Sequence, residues 1–114
     1  MSDPLFPAPS RELSDARHRL APETDKAFRA FSRQVFADGA LPSVTKQLLA
    51  VAVAHVTQCP YCIRGHTDGA LRAGATPEQI MEAIWVAAEM RAGGAFAHSA
   101  LALDVIEKHQ PPAK

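Results

Sequence analysis

The chain has 114 residues, enough for one domain with its own core. Twelve basic and twelve acidic side chains cancel, and Lys and Arg form no cluster, so the charge pattern points to neither nucleic acid nor an anionic membrane. Apolar residues make up 47% of the chain and aromatic ones only 6%, a balance led by alanine and leucine that favours packed helices over a sheet sandwich. Pro4, Pro7 and Pro9 make residues 1–9 an extended arm. The opening Met1-Ser2-Asp3-Pro4 has no basic n-region, and no apolar run approaches the roughly 20 residues of a membrane span, so a cytoplasmic location is expected.

Ser10 is expected to cap a short helix reaching about Leu20. Pro22 opens a second, ending near Ala37 before Asp38-Gly39, with Ala27, Phe28, Phe31, Val35 and Phe36 at helical spacing. Ser43 is expected to cap a third, whose stretch from Leu48 to Ala54 is apolar all round, which predicts a helix surrounded by protein. The fourth opens near Pro60 and ends at Ala73-Gly74, with Gly74 just past its last turn. Thr76-Pro77-Glu78-Gln79 then supplies a cap, a proline at the first helical position and the glutamine of a capping box. This fifth helix carries Ile80, Ile84, Ala87 and Ala88 with Met81 and Trp85 beside them, a stripe too wide for a solvated helix of a small monomer, and a subunit interface is expected. Gly93-Gly94 should break or kink the pattern before a sixth helix built on Phe96, Ala100, Leu101, Leu103, Val105 and Ile106. The reading is all-α: a multihelical bundle of about six helices, one domain at residues 10–109, with 110–114 as a tail containing Pro111 and Pro112.

The only two cysteines are Cys59 and Cys62, and His66 follows four positions after the second. On a helix these offsets return to one face within about 60°. A helix start favours the thiolate, because unpaired backbone N–H groups and the macrodipole stabilise the anion, and Pro60 fits a first helical turn. His66 is placed to take or relay the thiol proton. In a reducing compartment such a pair serves redox chemistry or a metal more often than it serves as a staple. Gln47 and His55, eight residues apart on the apolar third helix, project from nearly the same side and need polar partners, which suggests a polar pocket close to the sulfurs.

The run from Lys46 through His66, together with Ala73-Gly74-Ala75-Thr76-Pro77-Glu78-Gln79-Ile80 and Ala92-Gly93-Gly94-Ala95-Phe96-Ala97-His98, resembles the alkyl hydroperoxidase D-like proteins of the carboxymuconolactone decarboxylase family, over about residues 25–107. The resemblance implies an all-helical fold, trimers or hexamers, and reduction of a hydroperoxide or other small substrate without a bound cofactor. It also implies roles: Cys62 peroxidatic, Cys59 resolving the sulfenic acid into a disulfide, His66 in a proton relay, and a partner dithiol protein as reductant. The chain departs from the pattern at two points. Gln47 occupies the place of a glutamate twelve residues before the first cysteine, and an amide does not exchange a proton near neutral pH. Tyr61 stands where some members have a histidine. His55, Glu82 and Glu89 are the remaining candidates for a base, with Tyr61 a further pocket candidate.

Three other readings stand beside the peroxidase. A relay-deficient or non-catalytic helical oligomer would keep the fold without the chemistry. A lactone decarboxylase is suggested by the broader family name, although that branch does not depend on a cysteine pair. A zinc site could draw on His55, Cys59, Cys62 and His66, but those residues lie on adjoining helical turns rather than around a loop.

Overall fold

The computed structural model describes residues 5–109, and among these there are five helices and no strand. They are α1 (Arg11–Leu20), α2 (Pro22–Phe36), α3 (Ser43–Thr57), α4 (Pro60–Arg72) and α5 (Pro77–Lys108). The first four positions of the N-terminal arm and the tail at 110–114 lie outside the described residues.

Local chemistry explains most boundaries. The Ser10 side chain accepts the Leu13 N–H at 3.1 Å, as its position before α1 predicts. One residue, Ala21, turns the chain from α1 into α2, and the two helices are tied by Arg29 donating to the Ser14 hydroxyl at 2.8 Å and by His18 against Asp25 at 3.1 Å. Ser43 does not cap α3: its own N–H donates to the Asp38 carboxylate at 2.6 Å, and Pro42 holds the cap position. The acceptor therefore comes from the loop rather than from the helix start, because Pro42 has no side-chain oxygen to offer. Past α4, Gly74 takes the left-handed conformation (φ 101°), while Gly74 donates to Leu71 and Ala75 to Ala70, which closes the helix with paired carbonyls. Thr76 and Gln79 form both bonds of the capping box at the start of α5.

The predicted fifth and sixth helices are one. α5 runs 32 residues without a break at Gly93-Gly94. Each interior glycine costs about 1 kcal/mol, but Ala92, Ala95 and Ala97 around the pair are strong helix formers, and no proline interrupts the backbone ladder.

α3 packs along α4 and α5 and touches α2 only near its end. The core is thin: Val51, Ala70, Ala75 and Ile80 form its centre, with Leu48, Val44 and Ile84 packed against it. α3 was expected to be surrounded, yet only Val51 and Ala54 are buried on it, while Leu49 and Val53 are more than half exposed. The reason is geometric. α1 and α2 pair mainly with each other and leave the outer face of α3 open.

Candidate functional site

The site is built where the end of α2, the length of α3 and the first two turns of α4 meet. Gln58 at the end of α3 adopts the left-handed conformation (φ 58°), turning the chain so that Cys59 becomes the N-cap of α4 and Pro60 its first residue. Cys59 and Cys62 are joined in a disulfide, with Cα atoms 5.2 Å apart. The Cys62 N–H also donates to the Cys59 sulfur at 3.2 Å. This contact distinguishes the two sulfurs. Cys59 caps the start of α4, whereas Cys62 faces a cleft.

That cleft has a volume of about 400 Å³. Its walls are apolar: Val35 and Phe36 from α2, and Leu49, Ala50, Val53 and Ala54 from α3. Four polar or reactive side chains reach it, Lys46, Thr57, Cys62 and His66. Of the predicted trio, Cys62 and His66 share this lining, whereas Cys59, the extended N-cap residue of α4, does not reach it.

His66 is held from two sides. Phe36 stacks on its ring at a centroid distance of 4.9 Å and an angle of 25°. Its Nδ1 donates to Oε1 of Gln47 at 2.9 Å. An amide oxygen accepts only, so in the neutral ring this bond places the proton on Nδ1 and leaves the lone pair on Nε2. Gln47 therefore selects the tautomer whose Nε2 can accept a proton. Gln47 itself lies against Gly69, where an added Cβ would come within 2.6 Å of Oε1.

The other candidates are placed elsewhere. His55 directs Nδ1 back to the Val51 carbonyl on its own helix at 2.7 Å and does not line the cleft. The Tyr61 hydroxyl donates to the Pro7 carbonyl at 2.8 Å, and Phe6 meets its ring edge-on at 6.0 Å, so Tyr61 anchors the arm rather than serving the pocket. Glu82 and Glu89 are exposed on α5, and neither lines the cleft. The reason is the helical period: the face of α5 that carries them is not the one applied to α3. Among the described residues no group of three His, Cys, Asp or Glu side chains converges as metal ligands would, and the four residues of the zinc reading do not come together. Sequence reasoning missed Phe36, Lys46 and Gly69 as site residues. Phe36 was visible only as one apolar position on α2, and nothing in the local pattern linked it to α4.

A five-helix fold with a CxxC pair at a helix start and a histidine one turn on defines a class of thiol-bearing all-α proteins. The model of the carboxymuconolactone decarboxylase family matches residues 22–104, and the chain belongs to that family. It is 60% identical over 108 residues to the uncharacterized protein 4 of the cox locus of Paracoccus denitrificans, covering 95% of this chain and 96% of the relative. Among solved structures, a carboxymuconolactone decarboxylase family protein from Legionella pneumophila superposes with a TM-score of 0.63 at 33% identity, over 80% of this chain and 81% of that one. A family member from Thermotoga maritima, for which a part in the antioxidative response has been suggested, superposes with a TM-score of 0.54 at 27% identity, over 76% and 96% of the two chains.

Proposed function

We propose that this chain is a thiol-dependent peroxidase that reduces a hydroperoxide to an alcohol and water, taking two electrons from a protein dithiol. One observation carries the reading: Cys62, already paired with Cys59, lines the same apolar cleft as a histidine whose acceptor nitrogen is left free. In the reduced protein His66 Nε2 takes the Cys62 proton, and the thiolate attacks the distal peroxide oxygen. The O–O bond breaks, the departing alkoxide takes a proton to become the alcohol, and Cys62 becomes a sulfenic acid. The Cys59 thiolate, favoured at the helix cap, attacks that sulfur and expels water, forming the disulfide. An external dithiol then restores both thiols, which suits a reducing cytoplasm. The antioxidative link suggested for the Thermotoga relative agrees with this chemistry.

The test is a stopped-flow measurement of free thiols in the reduced protein mixed with hydrogen or organic peroxide. Two thiols per chain should disappear in the wild type. Cys62→Ser should show no peroxide-dependent loss, and Cys59→Ser should trap a sulfenic acid on Cys62. Full retention of both thiols in the wild type under excess peroxide ends the proposal.

A second reading is favoured by Gln47, which can orient His66 but cannot pass a proton onward. In it the chain is a relay-deficient oligomer. Gln47→Glu separates the two. A rate increase on the order of a hundredfold, typical of an added general base, would favour the relay-deficient reading. A change within about threefold supports His66 as sufficient base.

A further inference from the structure

We infer that Lys46 is a positioning residue for His66: by holding the C-terminal end of α2 it keeps the Phe36 ring stacked on the imidazole. The placement is read from geometry alone, and only its effect on rate rests on the peroxidase reading. Phe36 is the last residue of α2. No residue of that helix is buried, and its other two phenylalanines, Phe28 and Phe31, are 66% and 62% exposed. Phe36 alone of the three is partly covered, with the His66 ring at 4.9 Å. A ring on the last position of a helix moves whenever that end frays, because the final carbonyls have no partner within the helix. Ala37 is already extended (ψ 153°), so no further helical turn holds the ring from beyond.

Lys46 supplies the missing tie. Its Nζ donates to the Ala37 carbonyl at 2.6 Å across nine positions of sequence, which joins the residue just past α2 to the first turn of α3. An ammonium at the C-terminal end of a helix also meets the negative end of its dipole. No carboxylate of the described residues pairs with Lys46, whose side chain stands partly covered in the cleft wall. Among those residues the Ala37 carbonyl is its one hydrogen-bond partner. The next residue, Gln47, accepts from His66 Nδ1. Two successive residues of α3 therefore hold the imidazole in different ways. Gln47 sets the tautomer at the ring edge, and Lys46, through Ala37 and Phe36, secures what lies on the ring face. A ring fixed at edge and face keeps one orientation relative to Cys62, its neighbour in the cleft lining.

The test uses the full chain in its disulfide form, with the His66 ring proton signals as the first readout. Lys46→Met keeps the stem and the helix propensity and deletes the donor. The Phe36 face shields the His66 ring protons in the wild type, so Phe36→Leu should move them downfield, and Lys46→Met should move them in the same direction. Lys46→Arg, which can donate to the same carbonyl, should restore the wild-type positions. Lys46→Met added to Phe36→Leu should change nothing further at His66, since the ring through which it acts is gone. In the reduced protein Lys46→Met should slow peroxide-driven thiol loss roughly tenfold, the scale of one lost hydrogen bond to a charged group, with Lys46→Arg near the wild-type rate. Should the apolar methionine unfold or aggregate the chain, Lys46→Gln, whose amide stops short of Ala37, is read by the same signals. Wild-type His66 signals in a folded Lys46→Met or Lys46→Gln protein overturn the inference. So does a slower rate without a change at His66, and so does an equal displacement with and without the Phe36 ring. If peroxide oxidises no thiol even in the wild type, the peroxidase reading fails, and the ring signals still decide the role of Lys46.

Discussion

His66 owes its orientation to three helices at once: Phe36 of α2 stacks on the ring, Gln47 of α3 accepts from Nδ1, and Gly69 of α4 leaves room for the Gln47 amide. The absence of a side chain at Gly69 is therefore part of the site. A methyl there would stand 2.6 Å from Oε1, closer than any real contact, and the amide would have to leave His66. Gly69→Ala is expected to slow peroxide-driven thiol loss roughly tenfold, the scale of one lost orienting hydrogen bond. Helical content should be retained, since alanine is the better helix former. The accompanying signature is a change in the tautomer-sensitive nitrogen shifts of His66. A variant with unchanged shifts and unchanged rate would show that the Gln47 contact does not orient the ring.

At the scale of elements, the α1–α2 pair shows how a few polar contacts substitute for a core. Neither helix has a buried residue, and the two are tied through Asp25, whose side chain is only 12% exposed and receives Arg29 at 2.9 Å and His18 at 3.1 Å. The Arg29 hydrogen bond holds the Asp25 carboxyl below its ordinary value of 3.8; burial opposes this, and the His18 contact assists it. A depressed folded value means that the stabilisation is complete above about 3.8 and is lost as the pH falls through the lower folded value. Amide exchange in α1 should accelerate over that acid window before exchange in α3 does. In Asp25→Asn the α1 amides should exchange faster already at neutral pH, and the acid step should vanish. The C-terminal half of α5 makes the opposite case, a stretch held by local propensity more than by contacts. The capping box and alanine-rich interior of α5 carry the helix through Gly93-Gly94, and beyond them every described residue of the helix is exposed.

The whole molecule is far from a sphere. Its extents are 71 × 34 × 34 Å and its radius of gyration is 20.5 Å, where a compact chain of this length has about 13 Å. It exposes 9210 Å², against about 6,100 Å² expected for a folded monomer of 12.2 kDa. The surplus is apolar in part: Trp85 is 67% exposed and Phe96 82%. A surplus of about 3,000 Å² per chain exceeds one standard interface, which argues for assembly through more than one surface, consistent with a trimer or hexamer. We propose that the open face of α5, which carries Trp85 and Phe96, is joined to other copies of the chain. Light scattering should give a mass of at least three chains, and Phe96→Glu should lower it. A wild-type protein that stays monomeric at micromolar concentration would refute the assembly.

How much of this was legible in the sequence depends on the range of the interaction responsible. The all-α class, the capping box at Thr76, the glycine stop at Gly74 and the shared face of Cys62 and His66 follow from offsets of a few residues, and such offsets are fixed by helical geometry before any tertiary contact forms. The fusion of two predicted helices across Gly93-Gly94 was misjudged because propensity near a glycine pair is a balance of small terms. The partners of His66 lie far along the chain, Gln47 at a separation of 19 residues, and no periodic pattern encodes which helix end will meet which ring. The amino-acid order by itself therefore determined the helices and the face that carries Cys62 and His66. Only the packing of α2 against α3 and α4 decided that this face opens into an apolar cleft, that Lys46 stands in its wall, and that Gln47 sets the histidine tautomer, because those are contacts between surfaces and not properties of any one segment.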